Sequence, residues 1–244
     1  LIVEGIVMKR VEIESIADFA NMISHDFNAP LRQARMFNQF FNQSLEFELT
    51  EEQQSYQIIV DSNIRRLEGM ISGILRFSRI KKERDLTQSF CLNPVIKSLL
   101  QQNDHYFCDY HPKFDIQVTN QEVQGEEPLI YQALEEIIKN AVFYSDSRKE
   151  QLHICITAEM LNSKVYISIQ DNGLGLDPQY HDYVQQPFKQ IPTHCEKGVG
   201  IGLSIACKIL DIHADNFKFE SELGTGTKIS FNLPTNNRLT TIKI

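Results

Sequence analysis

The amino-acid sequence predicts an α+β protein in two parts. An antiparallel hairpin of two long helices, a four-helix bundle once a second copy joins it, is followed by an α/β sandwich. Three observations carry that expectation. Apolar residues recur three or four apart from about Val11 to Leu45 and again from Tyr56 to Ile74, the period of amphipathic helices. From about residue 87 onward, strand-like alternation and helix-like spacing interleave, as in one sheet packed on one helical layer. Glycines then cluster just after one expected strand and just before one expected helix.

The first helix carries Ile16, Ala20, Ile23, Phe27, Leu31, Ala34, Phe37 and Phe41 on one apolar stripe. His25 falls between Ile23 and Phe27, so it points roughly away from that stripe, with Asp26 beside it. Pro30 has no N–H for the Asp26 carbonyl and its ring crowds that carbonyl, so the helix should bend just past the histidine. An imidazole at a bend is open to another domain; the plainer alternative is a solvated histidine. Thr50-Glu51-Glu52-Gln53 reads as a capping box that opens the second helix. That helix has a stripe of Tyr56, Val60, Ile64, Leu67, Ile71 and Ile74, and Gly69 and Gly73 lower its propensity, so packing must hold it. Two such helices, each about 45 Å long, cannot bury their stripes well as an isolated hairpin. A symmetric partner solves this, which predicts a homodimer.

Lys81-Lys82-Glu83-Arg84-Asp85 reads as a solvated linker, and Phe90-Cys91-Leu92 as the opening of a short strand. Asn93-Pro94 offers an N-cap and a first-position proline for a helix through about Gln101. Phe114–Val118 alternates like a half-buried strand, and a helix is expected over Pro128–Phe143. Leu152–Ile156 and Val165–Ile169 should pair antiparallel across the Asn162-Ser163 turn. A glycine-rich segment, a helix over about Leu203–Leu210, and strands near Phe217–Glu220 and Lys228–Leu233 complete the sandwich.

A net charge of −8 disfavours nucleic acid or an anionic membrane as partner. The five cysteines are scattered, odd in number and without a C-x-x-C pair, which favours a reducing compartment. His194-Cys195 has no second ligand pair at metal-site spacing. No apolar run approaches the ~20 residues that span a bilayer. The chain also lacks an initiating Met. The expectation is therefore the C-terminal part of a longer protein, cytoplasmic, and open to a membrane tether through a preceding region.

Three constellations carry chemistry. Glu136-Ile137-Ile138-Lys139-Asn140 puts a carboxylate and a carboxamide on one helix face, where the carboxamide oxygen can ligate hydrated Mg²⁺ and the carboxylate can orient what the metal holds. Ordinary polar decoration is the alternative. Asp171-Asn172-Gly173-Leu174-Gly175 sets a carboxylate at a strand end, followed by glycines that let backbone approach a flat ring. Such a carboxylate can accept from an exocyclic amino group like that of adenine, although Asn-Gly is also a turn signal. Lys197-Gly198-Val199-Gly200-Ile201-Gly202-Leu203 exposes N–H groups at a helix start, which suits phosphates; a featureless lid is the alternative. It is neither a Rossmann fingerprint nor a P-loop.

In this order, and with Gly224-Thr225-Gly226-Thr227 after them, these motifs resemble the sensor histidine kinases of two-component systems, from about Ala17 to Leu233. Ser24-His25-Asp26 with Pro30-Leu31-Arg32 is similar to the family's H box, in the form seen in phytochrome-like kinases. Leu75–Arg79 resembles the end of the second dimerisation helix. Asn140-Ala141 with Tyr144-Ser145 is similar to the N box, Asp171–Gly175 to the G1 box and Gly198–Leu203 to the G2 box. The resemblance implies a dimerisation and histidine-phosphotransfer domain over residues 1–86, a Bergerat-type ATP-binding domain over 87–235 and a tail over 236–244.

It also implies roles. His25 would take the γ-phosphate with Asp26 and Glu136 assisting, and Asp171 would read adenine. Asn140, with Glu136, would hold Mg²⁺. Tyr144, Gly173, Gly175, Lys197, Gly198, Gly200, Gly202, Leu203 and Thr227 would line the ATP site. The phosphoryl group would pass to an aspartate of a separate response-regulator receiver domain. The chain departs from the pattern at Ala29, where many members carry Thr or Asn, at Phe143, where a Lys is frequent, and at Gln185, which replaces an aromatic. Lys197 or Lys189 would then substitute for the missing lysine. The alternative from another class is a catalytically silent dimeric signalling scaffold with a nucleotide-binding domain. An ATP-hydrolysing clamp of the same fold is a third.

Overall fold

The computed structural model describes residues 16–44, 49–80, 88–107, 110–118, 120, 122–191 and 198–235, the side chains of 16–19, 21–25 and 44 excepted. The helix onset at Val11, the linker at 81–85, His194, Cys195, Lys197, the tail at 236–244 and the His25 imidazole lie outside that description. The chain divides into two units after Arg79.

In the first unit, helix α1 (Ile16–Ser44) runs on through Pro30. Helix α2 (Glu51–Arg79) starts at the expected capping box: the Gln53 N–H donates to Thr50 Oγ1 at 3.3 Å and the Thr50 N–H to Gln53 Oε1 at 3.0 Å. Arg35 pairs with Glu68 across the hairpin at 3.3 Å. Only part of the expected stripe is covered: Ile64 and Ile71, two turns apart, are buried, while Phe27, Phe37, Phe41, Tyr56, Val60 and Leu67 are exposed. One helix–helix contact line covers one narrow strip per helix, so the rest of the stripe stays uncovered.

The second unit is built on a five-stranded sheet. Its strands are β2 (Lys113–Val118), β4 (His153–Leu161), β5 (Lys164–Asp171), β7 (Gly226–Pro234) and β6 (Asp215–Glu222), side by side in that order. β2 runs parallel to β4 and all other neighbours are antiparallel. A two-stranded sheet pairs β1 (Ser89–Cys91) with β3 (Glu122–Gln124). Alternate residues Ile154, Ile156 and Ala158, Val165, Ile167 and Ile169, and Ile229, Phe231 and Leu233 are buried. They form the sheet side of the core. The helical side comes from Leu92, Ile96 and Leu99 of α3 (Leu92–Gln102), Ile130, Leu134 and Ile138 of α5 (Glu127–Phe143), and Ile205, Ile209 and Leu210 of α7 (Gly202–His213). The β4–β5 hairpin turns at Asn162 and Ser163 as expected, both at positive φ, 52° and 60°. That is the backbone hand that matches strand twist in a two-residue turn.

Three local expectations are corrected. α3 begins at Leu92 with Cys91 in the capping position, not at Asn93, whose amide donates instead to Asn120 Oδ1 at 3.0 Å. Pro94 is tolerated there because N–H groups of the first turn have no partner in the helix. α7 extends to His213, three residues beyond the expected end. β6 begins at Asp215, two residues before the expected Phe217, with a shift in its pairing register against β7 between Asp215 and Lys218. The short helices α4 (Asp104–Phe107) and α6 (His181–Val184), a 3-10 turn at Pro178–Tyr180 and β3 were not expected; each is too brief to show a period.

Candidate functional site

Asp171 is the last residue of β5, and the chain beyond it folds back around its carboxylate. The N–H of Gly173 donates to Asp171 Oδ1 at 2.7 Å and the N–H of Thr227, on β7, donates to the same oxygen at 3.2 Å. Oδ2 is thereby the oxygen left to a ligand donor. Burial pushes this carboxyl up to about 6, against the pull of the Gly173 and Thr227 N–H groups and the Lys149 charge.

Glycine is required around it for space. A Cβ on Gly173 would stand 2.5 Å from the Tyr144 carbonyl oxygen, and one on Gly226 2.1 Å from that of Asp171. Gly175, at φ +63°, would bring a Cβ to 1.9 Å from the Glu222 carbonyl oxygen. The loop is docked on the end of α5, where the Leu174 N–H donates to the Tyr144 carbonyl at 2.9 Å. The Asn-Gly pair therefore makes no hairpin. Asn172 instead accepts from the His153 N–H at 2.8 Å and donates to the Gln151 carbonyl at 3.0 Å, pinning the start of β4.

α5 brings Glu136, Asn140 and Tyr144 onto successive turns of one face, Glu136 and Asn140 half-buried and Tyr144 exposed. The Tyr144 ring packs edge-on against Phe143 at 5.1 Å between centroids. Among the described residues the Asn140 carboxamide has no hydrogen-bond partner, so its oxygen is available to a cation. No cluster of three or more His, Cys, Asp or Glu stands ready to cage a metal among the described residues.

The second glycine cluster leads into α7, whose first residue is Gly202. Glu136 Oε2 lies where a Cβ on Gly202 would be, at 2.3 Å, so the carboxylate is lodged against the helix start. Leu203 follows in the first turn. Gly198 and Gly200 adopt φ +95° and +74°, and Gly198 faces the Phe143 ring and Gln190. The Phe188 N–H donates to the Gly200 carbonyl at 2.7 Å. Gln185, at the place of the missing aromatic, ties α6 to α7 by donating to the His181 carbonyl at 2.9 Å and accepting from Cys207 Sγ at 3.7 Å. Lys189 stands over the Tyr183 ring at 5.3 Å.

Asp171, Gly173, Leu174, Thr227 and the Tyr144 backbone are thus joined by hydrogen bonds, with Gly175 packed against the Glu222 carbonyl, and Glu136 meets Gly202 at the start of α7. His25 and Asp26 lie on α1, in the other unit. One residue at the cluster escaped the sequence. The Lys149 ammonium donates to the carbonyls of Asn172 at 2.6 Å, Gly173 at 3.3 Å and Thr225 at 3.1 Å. No spacing rule announces a lysine whose acceptors are this far along the chain.

Comparisons with known proteins agree with this layout. Residues 15–83 match the His Kinase A (phospho-acceptor) domain, and residues 125–237 match the histidine kinase-, DNA gyrase B- and HSP90-like ATPase family. Cyanobacterial phytochrome A of a Nostoc species is 25% identical over 90% of this chain, which covers 28% of that protein. The chain therefore spans well under half the length of this relative. The crystal structure of full-length ShkA in complex with AMPPNP superposes with a TM-score of 0.66 at 19% identity, over 90% of this chain and 46% of that one. Histidine kinase ThkA in complex with the response regulator protein TrrA gives 0.58 at 20% identity, over 88% and 61%. These two likenesses show the fold. With a phospho-acceptor match on the helix hairpin and a kinase-type ATPase match on the sandwich, together covering well over half of its residues, the chain belongs to the sensor histidine kinases.

Proposed function

We propose that the chain binds ATP with Mg²⁺, transfers the γ-phosphoryl group to His25 and passes it on to an aspartate of a response-regulator receiver domain. The observation that carries this reading is the Asp171 carboxylate, fixed by two backbone N–H groups between glycines that leave a flat approach. Its free oxygen is suited to the exocyclic amine of adenine. The helix start at Gly198, Gly200, Gly202 and Leu203 would offer N–H groups to phosphates, Lys197 would add its charge to them, and Thr227 would line the site beside Asp171. Asn140, with Glu136 one turn earlier, would hold Mg²⁺, which supplies charge neutralisation on the phosphates when bound.

On the acceptor side, a neutral imidazole at His25 is the nucleophile and Asp26 takes or holds its proton. The domains follow the limits 1–86, 87–235 and 236–244. The exposed Phe27, Phe37, Phe41, Tyr56, Val60 and Leu67 support pairing of two copies into a four-helix bundle. The receiver partner has its parallel in the ThkA complex with a response regulator. Among the described residues no helix is long and apolar enough to cross a membrane.

Asn140→Ala is expected to lower Mg²⁺-dependent incorporation of label from γ-labelled ATP at least about tenfold, the usual scale for losing a metal ligand or its support. Incorporation at the parental rate would remove Asn140 from the metal site. A second expectation concerns pH. Asp171 must be ionised to accept from the amine, and in the free protein it titrates at about 6. ATP affinity should therefore be flat above that pH and fall by up to about tenfold per unit below it. Asp171→Asn should abolish that dependence, as read by calorimetric titration between pH 5 and 8.

A further inference from the structure

We propose that Lys149 is the positioning residue of the base-reading carboxylate, holding together the two backbone segments that fix Asp171. The inference rests on the reading of Asp171 as the adenine acceptor. An ammonium has three donors, and here each finds a carbonyl: Asn172 and Gly173 on the loop after β5, and Thr225 on the β6–β7 turn. Gly173 is gripped at both ends, its carbonyl by Lys149 and its N–H by Asp171. Thr225 lies two residues before Thr227, the other donor to Asp171. The lysine thus spans the same two segments as the carboxylate does.

Lys149 is itself held in place. It closes the turn after α5, where its own N–H donates to the Asp146 carbonyl at 3.0 Å. Asp146 is buried and braced by Arg148, through its N–H at 3.0 Å and its guanidinium at 2.8 Å. A surface lysine would need no such bracing. With the cation removed, three carbonyls would turn toward one another unpaired, and the loop would relax away from the geometry that aims Asp171 Oδ2.

The test compares ATP with inosine triphosphate, which has a carbonyl where adenine has its exocyclic amine. The full chain and its Lys149→Met variant are titrated calorimetrically with each nucleotide and Mg²⁺, and melting temperatures are recorded. Lys149→Met should weaken ATP binding about tenfold and leave inosine triphosphate binding within about twofold, so that the preference for ATP collapses. An unchanged preference, or an equal loss for both nucleotides, overturns the proposal. Lys149→Gln, with two donors, is read in the same way if the Met variant does not fold. Asp171→Asn separates the two claims. If that variant keeps the preference for ATP, the adenine reading falls; if it loses the preference while Lys149→Met keeps it, only the role of Lys149 falls.

Discussion

Asp171→Asn should weaken ATP binding by about 3 kcal/mol, roughly two orders of magnitude in Kd, while leaving the fold intact. The asparagine side chain keeps one carbonyl oxygen, which can go on accepting from the Gly173 and Thr227 N–H groups. The loop therefore retains its shape. What changes is the other atom: an NH₂ replaces the oxygen facing the ligand, so a donor meets the donor of the exocyclic amine. A charge-assisted hydrogen bond is lost and two donors are left unpaired in a partly buried place. Calorimetric titration with ATP measures the first effect, and a melting temperature close to the parent's checks the second.

Gly175→Ala should do the opposite, destabilising the sandwich together with its site. At φ +63° an alanine already costs about 1 kcal/mol. Its Cβ would then stand 1.9 Å from the Glu222 carbonyl oxygen and 3.0 Å from the Gly226 nitrogen. These are backbone atoms of the turn that carries Thr225 and Thr227, and the Glu222 carbonyl is already engaged by the Thr225 N–H at 3.0 Å. No side chain can swing aside, so the two segments must separate. A total of about 3 kcal/mol follows, a fall in melting temperature of about 10 °C for a domain of this size, with ATP binding lost alongside. A variant that melts with the parent would show that this crossing is looser than its geometry.

The sequence carried those parts of the fold that rest on local periodicity or on a turn with its own chemistry. The two long helices, the capping box at Thr50 and Gln53, the Asn162-Ser163 hairpin and the strand ending at Asp171 all depend on residues within a few positions of one another. The glycines after Asp171 and before Leu203 were legible for the same reason, since a positive φ or a close approach demands glycine whatever lies on the other side.

What was not legible depends on distant partners. Asn93 looked like a cap, but Asn120 takes its amide and the helix starts two residues earlier. Asn172-Gly173 carried a turn signal, yet the Tyr144 carbonyl and the start of β4 hold the segment as a loop. Lys149 reads as one more charge in a polar turn until its three carbonyls are seen, the last of them 76 residues away. The long apolar stripes were legible as stripes but not in how much of them one chain can cover.

Phosphoryl transfer to His25 is the central claim. Its most direct measurement is to incubate the protein with γ-labelled ATP and Mg²⁺, denature it, and follow the label through acid and base. Label that is acid-labile and base-stable in the parent, and absent in His25→Gln although that variant binds ATP normally, is the predicted result. Label of the same amount and acid-lability in His25→Gln would contradict it.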